Sequence, residues 1–248
     1  SASGGQPMQI YYMKKEKISI PVSTVILMIV TITYKLVLVV IGIGVAVFGR
    51  GFVHTYLQGI LPVFYLGLAL NIFCVTFMTI LVFHPLFAKA IMVKGLKVLE
   101  RIHLMKKKEN RLRKLEDSMD TYRDTAAYLK NNPMVIVKVI GITFVQRMAL
   151  FAVTWFVYQS FGLHGTGFWE ILFLQAVISV SVDMLPLPGG MGISETLFLT
   201  IFKPVFGTLL LPGMVLSRGL GYYGELLISA IFTVAAQLTI GQEKKKKA

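Results

Sequence analysis

The chain has 248 residues, 55% of them hydrophobic, a single cysteine, and a formal net charge of +13. With a mean hydropathy of +0.71 and several apolar runs beyond the roughly 20 residues that cross a bilayer, it reads as a polytopic membrane protein and not as a soluble domain. The lone Cys74 excludes an internal disulfide and reads as a small buried hydrophobe.

The first residues, Ser1-Ala2-Ser3-Gly4-Gly5-Gln6-Pro7, hold no methionine and no secretory signal. The expectation is the C-terminal part of a longer protein. Residues 8–17 fit a half-helix, because about ten residues rise about 15 Å, half a bilayer. Residues 20–48 form a first full span, with Pro21 in its first turn and Lys35 near its middle. Residues 57–83 return, with Asn71 near mid-depth.

Residues 84–132 form a basic insert in which Ile91, Leu96, Leu99, Ile102, Leu104 and Leu112 recur loosely at helical spacing. It reads either as a solvated helical hairpin or as a surface helix on anionic lipid. Residues 133–161 span again, with Lys138 able to snorkel and Gln146-Arg147 too deep to do so. Trp155 and Trp169 flank the short loop at 162–168, as an aromatic belt would.

Residues 169–187 re-enter, with Gln175, Ser179 and Asp183 spaced by four on one helix face. The stretch Pro186-Leu187-Pro188-Gly189-Gly190 interrupts them, because two prolines remove donors and glycines permit conformations other residues avoid. Broken backbone at membrane depth is tolerated only where protein or a wet cavity satisfies it. Asp183 and Glu195 bracket the break, so it reads either as a structural kink or as a discontinuous-helix site. Residues 191–203 run back outward. Leu211-Pro212-Gly213 is expected to turn into a last span over 213–240.

The charge is distributed unevenly. Of the 25 basic residues, 19 lie in three segments: Lys14, Lys15 and Lys17; the twelve between His84 and Asn132; and Lys244 to Lys247. By the positive-inside rule these segments are cytoplasmic, so topology accounts for the charge without nucleic acid. The glycine pairs Gly4-Gly5 and Gly189-Gly190 both sit beside proline, and on this topology the helices after them exit in opposite directions. That is the pattern of an inverted repeat. The expected organisation is residues 1–83, ending a first repeat; 84–132, the cytoplasmic insert; 133–240, a second repeat broken at 186–190; and 241–248, a basic tail. The fold class is an all-α membrane bundle of about four full spans with re-entrant helices.

Three elements resemble a known family: Pro186 to Glu195, reading Pro-x-Pro-Gly-Gly-x-Gly-x-x-Glu; Ser1-Ala2-Ser3-Gly4-Gly5-Gln6-Pro7; and Arg218 with Tyr222 and Tyr223. On these the chain resembles the lysylphosphatidylglycerol synthase/flippase transmembrane family of bacteria and archaea, over essentially its whole length. The resemblance implies a plasma-membrane domain that binds and moves anionic or aminoacylated phospholipid, with a part in cell-surface charge and resistance to cationic antimicrobials. A phosphatidylglycerol lysyltransferase label travels with the family, but no catalytic domain is visible in this sequence.

Arg147 and Arg218 are expected to line a groove for a lipid phosphate, since the guanidinium fork suits two oxygens. Glu195 would pair with an arginine or meet a cationic headgroup. The remaining candidates for lipid contact are Gly4, Gly5, Gln6, Asp183, Pro188, Gly189, Gly190, Tyr222 and Glu225. Arg218, Tyr222 and Glu225 fall on one face at helical spacing, beside a Gly213, Ser217, Gly221 stripe. A purely structural role for these charges, holding the break in shape, stays open. No metal spacing, nucleophile–base pair or phosphate loop appears, so no cofactor is expected. The expected partners are phospholipid headgroups and the membrane; a homo-oligomer is compatible, and nucleic acid is not expected. A lipid aminoacyltransferase, an enzyme-recruiting scaffold and a polyprenyl-phosphate transporter remain alternatives.

Overall fold

A computed structural model of the chain describes residues 5–48, 51, 56–101, 110–185 and 190–245. Among these the only regular structure is helical. The helices are α1 (Gly5–Lys15), α2 (Ile20–Phe48), α3 (Leu61–Phe83), α4 (Pro85–Arg101), α5 (Asn110–Asn131), α6 (Pro133–Ser160), α7 (Phe168–Val182), α8 (Ile193–Ile201), α9 (Lys203–Phe206), α10 (Leu210–Arg218) and α11 (Gly224–Lys245). Four segments are long and apolar enough to cross a membrane: Ile20–Val47, Leu61–Phe83, Pro133–Ser160 and Lys203–Leu238. The chain is therefore an all-α, multi-pass membrane protein. Its helix starts follow proline chemistry. Pro21, Pro62, Pro85 and Pro133 each lie in a first turn, where the missing N–H costs nothing.

The chain packs as two compact units, Ser1–Val37 with Ile72–Thr143, and Leu38–Asn71 with Phe144–Ala248. In the first, α1 is tied to α2 by the Gln6 side chain donating to Thr31 Oγ1 at 3.0 Å. Gly5 and Gln6 thus open a helix. The core joins Val25, Ile29 and Ile32 of α2 to Val82 of α3, Ala88 of α4, and Met119, Tyr122, Ala126 and Leu129 of α5. These last four fall at i, i+3, i+7 and i+10, one face of α5. Tyr122 also donates its hydroxyl to the Leu81 carbonyl at 3.0 Å. The basic insert holds two helices, α4 and α5, and one face of α5 lies in this core. Of the positions whose spacing suggested a face, Ile91 stands 36% exposed, and the side chains of Leu96, Leu99, Ile102, Leu104 and Leu112 lie outside the described residues.

In the second unit α7 buries Ile171, Leu172, Leu174, Ala176, Val177, Ile178, Val180 and Ser181. It approaches α3 so closely at Gly67 that a Cβ there would lie 2.5 Å from the Val180 carbonyl. Asn71, fully buried, donates to the Gly67 carbonyl at 2.9 Å and the Val180 carbonyl at 3.2 Å. An aromatic core forms where Phe198 stacks on Phe202 at 4.4 Å and Tyr158 meets Phe206 edge-on at 5.5 Å.

The helical run from Lys203 to Lys245 departs from the expected turn at Leu211–Gly213. The chain turns earlier, at Gly207 (φ 52°) in a short 3₁₀ segment, Gly207–Leu209. Pro212 instead occupies the first turn of α10. A second irregularity follows Arg218: Gly219–Tyr223 is a π-helical turn.

Candidate functional site

The site is built where α7 ends, α8 begins and α10 passes beside them. The N–H of Asp183 closes α7 on the Ser179 carbonyl at 3.0 Å. Residues 186–189 lie outside the described residues, and Pro188 and Gly189 with them; so does Gly4. The chain resumes at Gly190, with φ 63°, and reaches Gly192, with φ 85° and ψ −53°. Only glycine adopts that backbone without strain, and it aims the Gly192 N–H back at α8.

Glu195, three residues on, closes this end. Its Oε2 accepts the Gly192 N–H at 2.6 Å and the Ser194 hydroxyl at 3.1 Å. Its Oε1 accepts Arg218 Nε at 3.0 Å and Nη2 at 2.8 Å. One carboxylate thus holds a helix start, a neighbouring hydroxyl and a guanidinium from α10. The pair is largely shielded, with side chains 28% (Glu195) and 19% (Arg218) exposed. The Arg218 guanidinium also lies over the Tyr222 ring, 5.2 Å from its centroid.

The same device recurs at the start of α7. Glu170 Oε2 accepts the Gly167 N–H at 3.4 Å, and Oε1 accepts the Tyr56 hydroxyl at 2.7 Å. Each helix start is Gly-x-x-Glu, with the acid reaching back to the helix start through one oxygen and across to another segment through the other. Tyr158 secures the adjoining loop by accepting the N–H groups of Gly165 at 2.7 Å and Thr166 at 3.0 Å.

Of the residues singled out in the sequence, the structure brings together Glu195, Arg218 and Tyr222. Gly190 is buried beside Val182, and Asp183 is half-buried at the end of α7. Arg147 is half-buried on α6, and Lys35 is buried on α2 with its ammonium 5.9 Å from the Tyr34 ring centroid. Glu225 is exposed, because the π turn separates it from Arg218 and resets the face. Of the small-residue stripe, Gly213 meets the Phe206 ring, Ser217 is buried, and Gly221 has open space. Sequence reading passed over Gly192 and Ser194 as partners of Glu195. The Gly-x-x-Glu spacing was the available signal.

The chain matches the family described as "Lysylphosphatidylglycerol synthase TM region" over residues 1–229. Neither a curated protein nor a solved structure gives a match.

Proposed function

The chain belongs to the lysylphosphatidylglycerol synthase transmembrane-region family, and on that premise we propose that it is a flippase-like domain that binds and translocates an anionic or aminoacylated phospholipid. The coarse part of this, a role tied to membrane lipid, comes with the family. The finer part is supported chiefly by one observation: the Glu195–Arg218 pair at the broken end of α8. A carboxylate and a phosphate are alternative ligands for the same guanidinium fork. A lipid phosphate would take the place of Glu195 Oε1 on Arg218, with Arg147 as the second cation of the groove. Losing that partner would uncouple α8 from α10 and give the domain a second state, linked to headgroup occupancy. By the same reading the lipid moved contributes to surface charge and to resistance against cationic antimicrobials.

The test is leaflet accessibility of labelled aminoacyl-phosphatidylglycerol in proteoliposomes. Arg218→Ala and Glu195→Ala should abolish movement while leaving membrane insertion intact. Parental rates in both variants would overturn the proposal.

A further inference from the structure

Helix α4 carries a surface that neither the core nor the Glu195–Arg218 pair uses. It follows the span α3 without a free linker. The His84 N–H donates to the Ile80 carbonyl at 2.9 Å, and the His84 carbonyl accepts the N–H groups of Phe87 at 3.0 Å and Ala88 at 3.2 Å. Ala88 is buried in the cluster that holds Val25, Val82 and Tyr122, which sets the side of α4 that faces inward. A helix turns ~100° per residue, so Leu86, Ala90, Lys94, Phe87 and Ile91 share an arc of ~140° turned away from Ala88. All five are exposed. Leu86 stands 84% exposed and Phe87 45%. In the sequence, Lys97 and Arg101 fall on the same arc. The arc therefore changes along the helix: its first turns, next to the membrane span, are apolar, and its later turns are basic.

We infer that α4 is an interfacial helix that docks the basic insert on an anionic lipid surface. Leu86, Phe87 and Ile91 enter the boundary of the hydrocarbon, and Lys94, Lys97 and Arg101 meet lipid phosphates. Two observations select this occupant. The first is continuity with a membrane span: Leu86 follows Phe83, the last residue of α3, by three positions, so its exposed side chain stands where hydrocarbon gives way to headgroups. The second is charge: the arc holds three cations and no acid, which suits a surface of phosphates. Large apolar side chains held outward in water gain nothing, whereas at a bilayer surface their burial and the attraction of the cations act together. Of the two readings the sequence left open for this insert, the exposed arc of α4 favours the lipid surface over solvent.

The experiment uses the full chain with Cys74→Ala in lipid nanodiscs, which are open to water on both sides, made of phosphatidylcholine with and without phosphatidylinositol. Ala90→Cys on the arc and Asp120→Cys on the exposed side of α5 each carry an environment-sensitive fluorophore. Quenching by brominated acyl chains reports contact with lipid, and quenching by iodide reports contact with water. The Ala90→Cys probe should be quenched several-fold more by brominated lipid than the Asp120→Cys probe, and correspondingly less by iodide. Its lipid quenching should rise when phosphatidylinositol is present. Lys94→Gln, Lys97→Gln and Arg101→Gln together should remove that rise, and high salt should remove it in the parent. Equal quenching at the two positions would make the insert a solvated pair of helices and overturn the inference. A rise that persists without the three cations overturns it as well. So does an Ala90→Cys probe shielded from both quenchers, which would assign the arc to a second copy. The readout is probe depth and not lipid movement, so failure of the transport reading leaves this inference standing.

Discussion

Glu195 accepts four hydrogen bonds, two on each oxygen, and no conservative replacement supplies the same set. Glutamine keeps the shape but loses the charge and turns one acceptor into a donor facing either Arg218 or the Gly192 N–H. Each hydrogen bond to a charged group contributes roughly 1.5–3 kcal/mol. Glu195→Gln should therefore lower the thermal unfolding midpoint in detergent, and Arg218→Lys should lower it as well, because an ammonium cannot present two parallel donors to one carboxylate. An unchanged midpoint in both would mean that the pair holds nothing. Tyr56 permits a different residue-scale prediction. Burial, then its hydrogen bond to Glu170, pushes its phenol up to about 12 from an ordinary 10.0. The folded chain holds that proton more tightly than the unfolded chain. The stabilisation is complete below pH 10 and fades as pH rises toward 12. Tyr56→Phe should flatten this stretch of the alkaline stability profile relative to the parent; identical profiles would exclude the effect.

At the scale of elements, close approach matters more than helix propensity. A methyl on Gly67 would meet the Val180 carbonyl at 2.5 Å and Ser181 Cα at 2.7 Å, both backbone atoms that cannot swing aside. Gly67→Ala must push α3 and α7 apart and weaken both Asn71 hydrogen bonds, at roughly 1–3 kcal/mol. Gly44 on α2 has open space within 4 Å, so Gly44→Ala should raise stability by up to about 1 kcal/mol. Opposite signs in chemical unfolding check the argument, and equal signs refute it. The same contrast explains what the sequence disclosed. Long apolar runs announced α2 and α6 almost to the residue, and α3 with a start four residues early, since length and hydropathy act locally. The aromatic core of Tyr158, Phe198, Phe202 and Phe206 escaped notice because it joins segments some forty residues apart. The π turn escaped because Gly-Leu-Gly-Tyr-Tyr carries no pattern distinct from an ordinary helix. Asp183, Glu195 and Arg218 stood out as charges in apolar sequence. Which of them pair is settled only by the tertiary crossing of α8 and α10.

For the whole molecule, the balance of charge is a statement about sidedness. The basic insert holds twelve of the 25 lysines and arginines, and the loop joining α6 to α7, residues 161–167, holds none. Moving that many cations across a bilayer during insertion is strongly disfavoured, whereas the loop Phe-Gly-Leu-His-Gly-Thr-Gly, with no lysine or arginine, crosses readily. The packing of α5 against α2 and α3 does not change this reasoning, because its buried face is made of Met119, Tyr122, Ala126 and Leu129. Asp120 on α5 and His164 in the α6–α7 loop are both exposed, and the charge argument predicts that they face opposite sides of the membrane. In a Cys74→Ala background, His164→Cys should react with a membrane-impermeant maleimide added to intact cells. Asp120→Cys should react only after permeabilisation. The reverse result would invert every span. The headgroup that first meets Arg218 would then come from the opposite leaflet, so sidedness also fixes the direction in which the proposed transport is to be sought.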